Sequence, residues 1–562
     1  MSQRRVETGP RAFRSSRQAA LASAFALLLF GASCAPRGLA EAPQAEPPGP
    51  RSEQPHSAAS PEQPAATAQT GPAADVLYPA PEAVPAPASD CVTAGALPSQ
   101  ASCQQPRQEL ALALAKSAND RDEALAALEV CDAFPAGLLR ALRAELYSAD
   151  CADQLVAAVV GEAIDSSGIR SDLRQTLVAL GLGARLRRLA TTPPAAPKER
   201  SREKLDEYFQ QVLFPWISEQ AGAIFALSSQ GTQLAGYAQG IVATEAGNAD
   251  MRFVEIARAV PLSADIARHP EARDVYYAGL DEALESRKAR GRNAALVGLR
   301  QMAQSGVRES ARVADARRLL SLSYGGRRVN ALDTLLLPPL APQKAVDAFD
   351  AIASLVPTPY ASALVGPRPV SAHLVRAHLQ AGMPRALRQA VMDDGQDARA
   401  QLYLARGWFE SGRTYFRASD FQQSQSILHG LLDGDAALDS EEIQQAGLLR
   451  ALSVALMAGP KDAAEMMARG PRFADLLGNL ALLDALAEKN GELAGMAGFN
   501  AAYLRELVAP ADAPDYWDDL SQRYQSSAQK LAGKQAGWAR DRASACRQIA
   551  QTLREQVGRT KP

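Results

Sequence analysis

From about residue 105 onward, apolar positions recur every three or four residues between charged ones, the period of a helix buried along one stripe. In DRDEALAALEV the pattern predicts a helix opened by Asp120 as N-cap, with Glu123 completing a capping box. FPAGLLRALRAELY puts Pro135 in a first turn and Leu138, Leu142 and Leu146 on one stripe. SDLRQTLVALGLGARLRRLA repeats the form, with Ser171 as cap and Leu173, Leu177 and Leu180 inside. EKLDEYFQQVLFPWI sets Leu205, Phe209, Val212 and Trp216 at helical spacing, and the small residues of AGAIFALSSQGTQLAGYAQGIVA predict a closely packed helix. No sustained two-residue alternation interrupts this. The expected fold is all-α, an α-solenoid of helix pairs.

Two proline-rich breaks divide the pattern, ATTPPAAPKERSRE (190–203) and the run from LLLPPLAPQ to LVPTPYASALVGPRPV (335–370). They predict an N-terminal helical unit over 91–190, a helical array over 200–335 and a further array over 371–562. In the last of these, WFESGRTYFRASDFQQSQSILHGLL places Trp408, Gly412, Tyr415, Phe416, Asp420, Phe421, Ser424, Leu428 and Leu431 at the intervals of a helix–turn–helix repeat. The stretch resembles a tetratricopeptide repeat. The resemblance implies Trp408 and Tyr415 on the inner face of the first helix and close approach of the second helix at Gly412. Asp420 would mark the turn, Ser424 would keep the crossing small and Leu428 would pack back. Ala436 stands where that family has its terminal proline. LLRALSVALMAGPKDAAEMM and LLDALAEKNGELAGMAGFNAAYL read as worn copies punctuated by Gly459-Pro460 and Asn490-Gly491, and residues 515–556 as a final capping pair.

The N-terminus has a different character. MSQRRVETGPRAFRSSRQ carries five arginines and one acid, and AALASAFALLLFGAS adds about fifteen apolar or small residues before Cys34. This is the form of a secretory signal over 1–33. The cysteine after small residues resembles the bacterial lipoprotein box, although Gly31 stands where leucine is usual. The resemblance implies cleavage before Cys34 and its lipidation, and Ala35 in the next position implies sorting to the periplasm-facing outer membrane. Each buried methylene of such an anchor contributes ~0.8 kcal/mol. Residues 34–90, with thirteen prolines over 35–90 and almost no large apolar side chains, predict a disordered tether.

Composition then narrows the function. The 562 residues include 60 Lys plus Arg against 62 Asp plus Glu, which argues against a nucleic-acid partner. Beyond Cys34 there are five cysteines, and an exported chain would pair them. A helix over 135–147 holds Cys131 and Cys151 about 20 Å apart, beyond the ~7 Å limit of a bridge. Cys103 and Cys131 flank one helical hairpin, so the expected bridges are Cys103–Cys131 and Cys91–Cys151, with Cys546 a buried thiol.

No residue set reads as catalytic, metal-binding or cofactor-binding. His373 and His378 are five apart in HLVRAH, without the Glu of a zinc-protease motif, and read as partly exposed helix residues. LDGDAALDSEEIQQ begins like a calcium loop but has Leu438 and Gln444 where that loop needs Gly and Glu. Arg327 and Arg328, in YGGRRVNALDTLLLPPLAP, are the candidate ligand contacts, suited to gripping a carboxylate or phosphate. The expected function is a lipid-anchored adaptor without enzymatic activity. It would bind an envelope protein or peptide on its helical surface, with the membrane and peptidoglycan as further contacts. The alternatives are a cell-wall enzyme resembling lytic transglycosylases and a structural linker between membrane and wall.

Overall fold

The structure is a computed structural model that describes residues 80–87, 91, 103–146, 150–160, 169–324, 327–340, 343–366, 368–434, 436–468 and 478–560. The signal, Cys34 and most of the predicted tether lie outside them. The chain forms two compact units: one contains residues 264–285, and the other comprises Ala74–Ser263 and Ser286–Pro562. Among the described residues there are helices, turns and a single isolated bridge, Val307 to Gly382. The fold is an all-α helical array.

The array opens with α1 (Pro106–Leu114), α2 (Ala118–Leu128), α3 (Leu138–Leu146), α4 (Ala152–Val160) and α5 (Ser171–Arg188). Helix α2 starts earlier than expected: Ser117 is the extended N-cap, and its hydroxyl donates to Asp120 Oδ2 at 2.7 Å, so Asp120 lies inside the first turn. Helix α3 starts later, because Gly137 turns the chain at a φ of +74° after Pro135. Cys103 is bridged to Cys131 across the α1–α2 hairpin, with Cα atoms 5.7 Å apart. Cys91 is bridged to Cys151, with Cα atoms 5.2 Å apart. The Cys103–Cys131 bridge closes a loop 28 residues long. Replacing both cysteines by serine is expected to cost about 3 kcal/mol in urea unfolding, chiefly through the freer unfolded chain.

The end of the predicted tether is ordered against this region. Val84 N–H donates to Pro81 O at 2.9 Å, and Arg188 Nε donates to Pro85 O at 2.9 Å. Proline lacks an amide hydrogen but keeps its carbonyl, so a proline-rich strand can still be held by an arginine.

Helix α6 (Arg202–Tyr208) runs through one π turn, Phe209–Leu213, into α7 (Phe214–Gly231). Pro215 cannot donate to the carbonyl four residues back, and the wider turn takes up the mismatch. The turn shifts the buried stripe: Leu213 is buried and Val212, expected inside, is exposed. The small-residue stretch that follows is two helices, broken at 232–235 before α8 (Gly236–Ala259). In the smaller unit, α9 (Ala264–Arg268) leads through His269, the N-cap, into α10 (Pro270–Ala283).

Next come α11 (Glu285–Gln304) and α12 (Ala311–Ser323). Helix α11 crosses α8 almost backbone to backbone: a Cβ on Gly247 would lie 2.5 Å from Ala295 N and 2.7 Å from Gly291 O. Helices α13 (Ala348–Leu355), α14 (Thr358–Val365), α15 (Ala372–Ala377) and α16 (Arg385–Asp394) are short, as prolines and glycines interrupt them. The C-terminal series is α17 (Ala398–Tyr415), α18 (Ala418–Asp433), α19 (Ser440–Leu456), α20 (Ala463–Ala468), α21 (Ala481–Ala487), α22 (Glu492–Glu506), α23 (Pro514–Lys530) and α24 (Gly533–Thr560). Helices α17, α18 and α19 pack consecutively, as do α21 through α24. Asp397 caps α17, and Asp439 with Glu442 forms a full capping box on α19.

Both proline-rich breaks fall inside the larger unit, so they end helices without ending a unit. Helix α5 packs on α8 across the first break, whereas the second itself contains α13 and α14, and α13 packs on α1. A buried ionic cluster fastens the same regions. Arg312 on α12 pairs with Glu145 on α3 and reaches Glu245 Oε1 on α8 at 3.4 Å, and Arg187 on α5 donates to that oxygen at 2.6 Å. Tyr237 accepts from Arg312 at 3.1 Å, and Tyr360 donates to Glu145 Oε2 at 3.1 Å. Burial opposes the charge of Arg312, but Glu145, Tyr237 and Glu245 outweigh it and hold its pKa well above the ordinary value.

Candidate functional site

The repeat-like pair α17–α18 places its residues as follows. Tyr415, Phe416, Phe421, Leu428 and Leu431 are buried, and Phe416 ends α17 in the left-handed region at a φ of +56°. A Cβ on Gly412 would lie 2.9 Å from the Phe421 ring, so the close approach needs glycine there. Ser424 faces the next helix, with Ser453 Oγ donating to its hydroxyl at 3.2 Å. Two residues depart from expectation. Asp420 lies in the first turn of α18, buried, and accepts from Ser411 Oγ at 2.7 Å. Trp408 is half-buried beneath the Arg388 guanidinium, 4.5 Å from the ring centroid.

Across this array lies a segment that no helical pattern announces. Residues Ala331–Thr334 form one 3-10 turn, and 335–340 then run without regular structure as Leu-Leu-Leu-Pro-Pro-Leu. The Asn500 carboxamide on α22 grips this strap at its backbone: Leu336 N–H donates to Asn500 Oδ1 at 2.7 Å, and Asn500 Nδ2 donates to Leu336 O at 2.8 Å. Tyr503 donates to Ala331 O at 2.6 Å, and Arg406 on α17 donates to Pro338 O at 2.9 Å. Leu335 and Leu336 are buried with them. Exposing two leucines costs ~3–6 kcal/mol before the hydrogen bonds are counted, so the strap is a fixed lining.

Two cavities border the strap. The first, about 520 Å³, is bounded by Arg308, Leu340, Gln343, Asp350, Arg376 and Arg406, among others. The second, about 830 Å³, is lined by the apolar Leu335–Leu337, Phe499 and Trp538 and by the charged Arg413, Asp541 and Arg542, among others. Arg406 and Glu410 belong to both. Trp538 on α24 is 54% exposed, an apolar ring standing at the cavity edge. Arg542 is anchored from behind by Glu506, at 2.6 and 2.8 Å.

Arg327 and Arg328 sit before the strap, half-buried and exposed respectively; they line neither cavity and form no ion pair among the described residues. His373 is exposed, whereas His378, expected to be partly exposed, is 3% exposed at the C-cap of α15. The helix ends there, and its last turn folds into the core. Burial pushes the His378 pKa down to about 4, and its Nδ1 has no partner among the described residues. The unfolded chain therefore takes up a proton before the folded one does. Stability is expected to be whole above about pH 6.5 and to fall by up to about 3 kcal/mol as the pH drops to 4. His378→Asn should flatten that part of a pH series of urea unfolding curves. The Cys546 thiol is buried and unbridged, and burial, then Glu506, pushes its pKa up to about 11. Among the described residues no group of His, Cys, Asp or Glu is placed to hold a metal ion, and no helix is long and apolar enough to cross a membrane.

Asn500, Tyr503, Arg308 and Trp538 were not singled out by sequence reasoning. Arg406, Glu410 and Arg413 carry a usable signal, since opposite charges at spacings of four and three share one helix face. No family model, curated protein or solved structure matches the chain.

Proposed function

We propose that the protein is a lipid-anchored adaptor of the cell envelope, held by Cys34, that carries a partner protein or peptide on its C-terminal helical array. The observation that supports this most is the cavity of about 830 Å³ beside the strap. A half-exposed tryptophan next to buried leucines, rimmed by arginines, is the chemistry of an interaction hot spot. The neighbouring face already holds an extended segment of this chain through its backbone, so a second extended segment would find the same kind of surface.

The test is photo-crosslinking in intact envelopes, comparing the parent chain with Trp538→Ala and Trp538→Glu. Trp538 is largely outside the core, so the fold should survive. Recovery of the same crosslinked partner should fall roughly thirtyfold, the loss expected for a hot-spot side chain. Equal recovery from all three chains overturns the reading. In parallel, Cys34→Ser should move the protein from the membrane fraction to the soluble envelope fraction.

A further inference from the structure

Charge in the larger cavity is already largely spent. Of its lining residues, Arg413 pairs with Glu410 at 2.5 Å, Arg542 with Glu506 at 2.6 Å, and Asp333 with Arg317 at 2.7 Å. One lining group is not spent. Gln535 is half-buried, and its Oε1 is enclosed without a hydrogen-bond partner among the described residues. An enclosed carbonyl oxygen ordinarily has a donor, and leaving it without one is costly.

Helix α24 sets this group in register with others. Gln535, Trp538, Arg542 and Ala545 follow at intervals of three, four and three residues, so they share one helix face, and all four line the cavity. From Gln535 to Arg542 that face runs about 10 Å, the length of about three extended residues. The strap shows how this molecule seats such a stretch. The Asn500 carboxamide takes the N–H and the C=O of Leu336 together, and the leucine side chains are buried beside it. Gln535 brings a second carboxamide to a cavity that Leu335–Leu337 also line, and its oxygen still lacks a donor. The terminal torsion of a glutamine is broad and roughly two-fold, so the amide can turn toward a guest at little cost.

We propose that Gln535 is a backbone clamp for the guest of this cavity, an extended and uncharged apolar segment of a partner protein. The inference rests on the reading of the cavity as the partner's seat, and adds the chemistry that the partner brings. The carboxamide accepts one N–H of the guest and donates to the C=O of the same residue, as Asn500 does for Leu336. The guest residue at the clamp is therefore not proline, which has no N–H. Its apolar neighbours meet Trp538, Phe499 and Leu337. With Arg413, Arg542, Asp333 and Glu410 already paired, a charged side chain would lose its water and gain no partner.

Anisotropy titration of the full chain with a labelled peptide, acetyl-Thr-Leu-Leu-Leu-Pro-Pro-Leu-amide, tests this; the probe copies residues 334–340. One site per chain is expected. Gln535→Ala should weaken binding about tenfold, the loss of two neutral hydrogen bonds. Alanine is the better helix former and removes an unpaired oxygen, so the fold should survive. Of three peptides, each N-methylated at one of the successive leucines, one should bind the parent about tenfold more weakly and lose nothing further against Gln535→Ala. Replacing the middle leucine of the peptide by aspartate or by lysine should weaken binding alike. The proposal is overturned by no binding to the parent, by equal affinity in Gln535→Ala, by N-methylation losses that persist in that variant, or by tighter binding of either charged peptide. Envelope crosslinking that depends on Trp538 but not on Gln535 overturns the clamp and leaves the adaptor reading standing. Peptide binding that depends on Gln535, with crosslinking indifferent to Trp538, upholds the clamp and overturns the adaptor reading.

Discussion

Glu145→Ala is expected to lower the unfolding free energy by about 3–5 kcal/mol, the usual cost of removing one member of a buried ion pair. In the parent, Arg187 and Arg312 are balanced by Glu145 and Glu245, and Arg312 and both acids are almost wholly enclosed. Without Glu145, Arg312 has only a 3.4 Å contact with an oxygen that Arg187 already holds at 2.6 Å, and the Tyr360 hydroxyl loses its acceptor. Glu145→Gln keeps hydrogen-bonding atoms and should cost less. A double-mutant cycle with Arg312→Met isolates the pair: the two losses should be strongly non-additive, because the charge left behind by the first substitution is removed by the second. Additive losses in urea unfolding would mean that the pair contributes little.

Asn500→Ala should cost about 4 kcal/mol through a different route. The carboxamide pairs with both backbone polar groups of Leu336, and each buried group left without a partner costs about 1–3 kcal/mol. Asn500→Asp keeps an acceptor for the Leu336 N–H but sets a carboxylate oxygen against the Leu336 carbonyl, so it should not restore the parent. The side chains of Leu335 and Leu336 still hold the strap in the alanine variant. Amide exchange at Leu336 should therefore speed up by orders of magnitude, while exchange in α17 changes far less. Unchanged protection at Leu336 would contradict the clamp.

Which features were legible follows from how local their causes are. Leu177 and Leu180 in α5, and Tyr415, Phe421, Leu428 and Leu431 in the α17–α18 pair, obey a spacing that one helix face imposes, so the residues name their own burial. The cysteine pairing was legible because the helix between Cys131 and Cys151 acts as a ruler. Val212 was misplaced because one π turn, next to Pro215, rotates everything after it. His378 was misplaced since helical spacing says nothing of what covers a helix end. The strap was legible as an irregular stretch, but its clamp was invisible for a stronger reason: Leu336 and Asn500 are 164 residues apart, and neither a leucine-proline run nor a lone asparagine implies the other. The proline-rich breaks misled in the same way, because proline ends a helix but does not stop the next one from packing on what came before.

That separation sets an order of events at the ribosome. At 5–20 residues per second the Leu-Leu-Leu-Pro-Pro-Leu run emerges about 8–30 s before Asn500 does. During this interval an apolar hexapeptide has no seat and is open to unwanted association. Its two prolines, poor formers of intermolecular β-structure, protect the nascent chain until the last helices arrive.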